Sequence, residues 1–168
     1  MLFRSEEFRA ALAIRPYWHR LAYSAATSLM QLGERDKAVS LMEQMRSVIP
    51  DSVFTVVLGA ELARQAGGVD EAERRLSHYL AQARPTIAAN LARLALANVY
   101  RAQDRPAAAA QAYREVITAD PMNWAAWGQL YQLRRAGGDT ARAAGIANYL
   151  QGMGVDPMAW AVPDSGAD

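Results

Sequence analysis

The 168-residue chain contains no cysteine, which excludes disulfides and thiolate metal sites and leaves its redox compartment open. Histidine is almost absent. His19 and His78 stand 59 residues apart, so a metal site would need carboxylates brought in from elsewhere, and both are read as helix-surface residues. Lys37 is the only lysine, and the other basic residues are arginine, as expected from the coding bias of a high-GC bacterium. No run is both long and free of charge, whereas a membrane span needs about 20 apolar residues. A net charge of +1 gives no general pull towards nucleic acid or anionic lipid. Nor is there a basic stripe with interleaved aromatics of the kind that binds nucleic acid. No serine–histidine–acid or cysteine nucleophile pattern stands out. Gly67-Gly68 and Gly137-Gly138 lack the strand and lysine of a phosphate loop and are read as turn glycines. Glu6-Glu7 and Asp70-Glu71-Ala72-Glu73 are read as solvated helix starts rather than catalytic carboxylate pairs. Glu6 and Glu7 also stand where a signal peptide would carry its apolar core. A cytoplasmic protein is therefore expected, or a periplasmic one if a leader lies upstream.

What is present is helical and periodic. Hydrophobic residues make up 52% of the chain, much of it alanine, which favours helix. Between Asn90 and Pro121, Leu94, Ala97 and Tyr100 recur at three-residue steps along one helical stripe. Asp104-Arg105-Pro106 interrupts it, with Pro106 suited to the first turn of a second helix. Ala109, Ala112, Tyr113, Val116 and Ile117 form a second stripe, and Pro121 ends the unit. Pro16, Pro50, Pro85, Pro121 and Pro157 follow one another at 34, 35, 36 and 36 residues. Paired helices at that period predict a helical solenoid.

The small residues Ala26, Gly59 and Ala97 fill one slot in the first helices. Ala38, Ala72, Ala109 and Ala143 or Ala144 open the second helices, and Met42, Leu76, Tyr113 and Ala147 or Asn148 follow four residues later. This pattern resembles the tetratricopeptide repeat family, although the family's early tryptophan is clear only at Trp127 and the last unit is weak in its second helix. The resemblance implies an all-α, right-handed α-α superhelical solenoid over residues 1–162. A lone second helix is expected at 3–15, before units at 17–50, 51–85, 86–121 and 122–157. That start suggests a chain cut from a longer solenoid, or a capping helix. Gly33 is expected to end a first helix, Asp51 or Ser52 to cap the next, and Thr140 or Asp139 to cap the last. Asp120-Pro121-Met122-Asn123-Trp124 is echoed by Asp156-Pro157-Met158-Ala159-Trp160. Trp160 is expected to fold back over the last helix pair, with residues 163–168 disordered.

The family's first helices line a concave groove that holds extended or helical peptides. Aligning the units assigns to it Arg20, Tyr23, Ser24, Thr27 and Gln31, then Val53, Val56, Ala60 and Arg64. Leu91, Leu94, Asn98 and Arg101 follow, then Gln129, Gln132 and Arg135. Arg64, Arg101 and Arg135 fall at equivalent places, either as a ladder for an acidic peptide or as ordinary solvated arginines. Tyr23 and Leu94 stand where the family's chaperone-tail binders would want lysine, so that ligand is disfavoured. Trp124, Trp127 and Tyr131 are read as helix packing rather than a stacking site. The expected function is a non-catalytic protein–protein scaffold or adaptor, without cofactor or metal, binding a protein or peptide partner. The alternatives are a repeat module of a larger enzyme, such as a glycosyltransferase, sulfotransferase or signalling cyclase, and an exported assembly factor.

Overall fold

The computed structural model describes residues 17–84 and 86–157. The expected lone helix at 3–15, the fold-back of Trp160 and the tail at 163–168 lie outside them. The described residues form eight helices and no strand. These are α1 (Tyr17–Gln31), α2 (Arg35–Val48), α3 (Val53–Gln65), α4 (Val69–Gln82), α5 (Ile87–Ala102), α6 (Pro106–Ala119), α7 (Trp124–Ala136) and α8 (Thr140–Gly152). None is long and apolar enough to cross a membrane.

One turn is used four times inside the helix pairs. Gly33, Gly67, Asp104 and Gly138 have positive φ, from 54° to 83°. At each, the next residue's N–H reaches back five residues to a carbonyl of the helix just ended. Glu34 donates to Leu29, Gly68 to Ala63, Arg105 to Tyr100 and Asp139 to Arg134, each at 2.9 Å. This closes the exposed helix end and reverses the chain. Asp104 tolerates a conformation that glycine adopts more readily.

The starts of the helices are capped unevenly. Thr86 Oγ1 accepts from Ala89 N at 3.2 Å, and Asn123 Oδ1 from Ala126 N at 3.1 Å. Asp139, not Thr140, caps α8, accepting from Arg142 N at 3.3 Å. Ser52, not Asp51, takes the N-cap position of α3, without a side-chain bond to the helix.

The chain divides into two compact units, one running to Ala95 and the other from Leu96, within α5. In the first, α1 packs on α2 and α3, and α3 packs on α2 and α4. Its core joins Ala22, Ala26, Met42, Met45, Leu58 and Leu62, with Trp18, Tyr23 and Phe54 against it. Arg35 Nη2 donates to Leu62 O at 2.9 Å, tying the start of α2 to the end of α3. In the second unit α7 packs on α6 and α8. Tyr113 is fully buried, and its hydroxyl donates to Asn98 Oδ1 at 2.6 Å. Within each unit the packed helices are one or two apart in the chain.

The turn residue sets a common register and corrects one assignment. Seven residues before Gly33, Gly67 and Asp104 stand Ala26, Ala60 and Ala97, all at most 1% exposed. Ala60 therefore occupies the small-residue slot, and Gly59 stands one step before it. In the last pair the slot holds half-buried Tyr131. The facing alanines Ala38, Ala72, Ala109 and Ala143 are at most 3% exposed, which selects Ala143 over Ala144.

Candidate binding face on the first helices

Counted back from the turn residue, three positions of the first helices hold the groove-lining candidates. Thirteen before it are Arg20, Phe54, Leu91 and Ala125, and ten before are Tyr23, Val57, Leu94 and Gly128. Six before are Thr27, Glu61, Asn98 and Gln132. Arg20, Tyr23 and Thr27 of α1 and Leu91, Leu94 and Asn98 of α5 fall in this register. Val53, Val56 and Ala60 of α3 stand one residue before it, because anchoring on Gly59 displaced them, whereas Arg64 is not displaced.

One residue is 100° of helix, so the displaced side chains point elsewhere. Val53 and Ala60 are buried, at 6% and 1% exposed. Val56 lines a hollow with Met42 and Arg46 of α2 and His78 and Tyr79 of α4. Gln129 of α7 is likewise buried, at 2%, and neither its Oε1 nor its Nε2 has a partner among the described residues.

In the first unit the face centres on Tyr23 and Phe54, whose rings lie 5.6 Å apart at 45°. Burial raises the Tyr23 phenol above its usual pKa, and the charge of Glu61 adds to that. Glu61 also clasps Arg64 through two bonds, from Nη2 at 2.6 Å and Nε at 3.0 Å. Both side chains are only about a quarter exposed, at 29% and 24%. Thr27 spends its hydroxyl on Ser24 O at 2.9 Å, and Arg20, Ser24 and Gln31 are exposed.

In the second unit Asn98 holds the Tyr113 hydroxyl. Arg101 and Gln132 meet across a hollow of about 290 Å³ whose wall includes Asp104 and Leu133. The Arg135 guanidinium lies 5.7 Å from the Tyr131 ring centre. On α5, Leu91 and Leu94 are half-buried.

No family model matches the chain, and no curated protein does.

Arg64, Arg101 and Arg135 each stand three residues before a turn residue, so their equivalence is structural as well as sequential. Their surroundings differ. Arg64 is neutralised by Glu61, whereas the equivalents of Glu61 beside Arg101 and Arg135 are the amides Asn98 and Gln132. Sequence reasoning missed Phe54 and Glu61, and the double glycine Gly67-Gly68 was the signal that could have supplied the register. Trp127 packs on Tyr149 of α8, with ring centres 4.9 Å apart. Among the described residues no group of three histidine, aspartate or glutamate side chains is placed to hold a metal ion.

Proposed function

We propose that the chain is a tetratricopeptide-type module that holds a peptide segment of a protein partner on its first helices, without catalysis. In this reading the hairpins stack as a right-handed α-α solenoid, and the first helices line its concave side. One observation carries it. Four first helices present a polar hydrogen-bonding side chain at the same place, Thr27, Glu61, Asn98 and Gln132, beside half-buried apolar residues such as Phe54 and Leu94. The two amides, Asn98 and Gln132, suit a peptide backbone, and the tilted Tyr23–Phe54 pair suits an apolar side chain. Arg64, Arg101 and Arg135, one helical position in three first helices, are the side chains proposed to meet acidic residues of the partner.

Peptides selected from a random display library on the full chain test this. Phe54→Ala and Arg101→Glu together are expected to weaken one class of selected peptide at least ~10-fold, about 1.4 kcal/mol. Selected peptides that are all indifferent to both substitutions overturn the reading.

A further inference from the structure

The second unit carries another hollow, of about 650 Å³, over α7 between α6 and α8. Its floor is Trp127, Leu130, Ile146 and Tyr149. Trp127 already donates its Nε1–H to Pro121 O at 3.0 Å, so what it offers is ring surface. Tyr149 is 45% exposed, and a Cβ added to Gly145 would meet nothing within 4 Å. The floor is thus aromatic, roomy and accessible.

The rim is cationic. Arg114, Arg134 and Arg142 line the hollow and no carboxylate does. Asp139 Oδ2 accepts from Arg142 at 2.8 Å and from Arg134 at 3.3 Å. Arg114 bonds to Gln111 Oε1 at 2.8 Å, and the Gln111 amide holds Glu115 at 3.0 Å. Asp139 thus serves two of the three guanidiniums, Arg114 bonds to an amide oxygen, and the Arg142 side chain remains 72% exposed.

The first unit shows that the fold does not require this charge. Counted from the facing alanines Ala38, Ala72, Ala109 and Ala143, the place of Arg114 is taken there by Glu43 and that of Arg142 by Glu71. Glu43 pairs with Arg46 at 2.6 Å, and Glu71 pairs with Arg74 and Arg75. The hollow between α2, α3 and α4 is accordingly charge-balanced. Arginines thus stand at two places where the first unit has glutamates.

We propose that the α6–α7–α8 hollow docks an acidic segment of a partner protein that carries an aromatic or long aliphatic anchor. The anchor stacks on the Trp127–Tyr149 pair, and flanking aspartates or glutamates meet the forks of Arg114 and Arg142. A nucleic acid fits less well, because three arginines in a chain of net charge +1 make no extended track for phosphates. This surface is separate from the first-helix face. Trp127, Leu130 and Arg134 form one stripe of α7, and Gln132 and Arg135 fall on another at 100° per residue.

The test uses the same display selection on the full chain, followed by fluorescence anisotropy with synthetic copies of the selected peptides. One class is expected to combine an aromatic residue or leucine with several acids. Its affinity should fall at least ~10-fold in Arg114→Glu/Arg142→Glu, and also in Tyr149→Ala, while Phe54→Ala/Arg101→Glu leaves it within about twofold. Circular dichroism melting checks that each variant is folded. The proposal is overturned if acidic peptides respond only to Phe54 and Arg101, or if the double charge reversal binds them unchanged. It is equally overturned if the arginines instead mediate binding of a labelled single-stranded oligonucleotide, or self-association seen by sedimentation. Acidic peptides that bind only a chain ending at Pro157 would identify residues 158–168 as the occupant and overturn it too.

Discussion

Gly59 and Ala60 are adjacent, small and buried, yet they should respond to substitution in opposite ways. A Cβ on Gly59 would lie 3.1 Å from Arg75 Nη1, the far end of a flexible side chain that is 39% exposed. That end can retreat by a few tenths of an ångström, while alanine gains helix propensity over glycine. Gly59→Ala is expected to raise stability by roughly 0.5–1 kcal/mol, read from urea midpoints. Ala60→Leu forces extra carbons into the slot between packed helices and should lower stability by at least about 1–3 kcal/mol. The reverse order would show that Gly59 occupies the slot after all. Gln129 makes a third case. Its amide is buried without a partner among the described residues. Gln129→Leu should therefore raise stability by on the order of 1–2 kcal/mol, and a destabilised variant would mean the amide is bonded.

Helix starts and the loops between helices were the most legible elements. Turn glycines, Pro106 and capping residues act over a few residues, so Gly33 could be read from the chain directly and Asp139 as one of two caps, while the Asn123 cap was missed. Which arginine each acid holds was less visible. Glu71 is held below the usual carboxylate range first by its bond from Arg75, and Asp139 likewise by Arg142. A carboxylate with a lowered native pKa stabilises the fold above its unfolded pKa, and that contribution disappears as pH falls through the native value. Thermal melts of Glu71→Gln and Asp139→Asn should therefore show less loss of Tm than the parent between neutral pH and about pH 3. Parallel curves would remove these pairs from the acid sensitivity of the protein.

Within each compact unit the packing joins helices near each other in the chain. Damage should therefore stay local and unfolding should proceed in parts. Tyr113→Ala deletes a fully buried ring and the donor to Asn98. Hydrogen exchange measured by mass spectrometry should accelerate in α6 and α7 well before α1 and α2. Uniform acceleration throughout would indicate a single cooperative core. The all-helical class, the hairpin order and the breaks at Pro50 and Pro121 were legible in the sequence. They depend on propensity, turn chemistry and spacing, which operate between residues near each other in the chain. The turn at Gly67-Gly68 carried the placement of Ala60 over Gly59, since a one-residue shift leaves composition and period unchanged but rotates a side chain by 100°. The pairing of Glu61 with Arg64 and the burial of Gln129 were not legible. Only contact between side chains in the folded chain decides those.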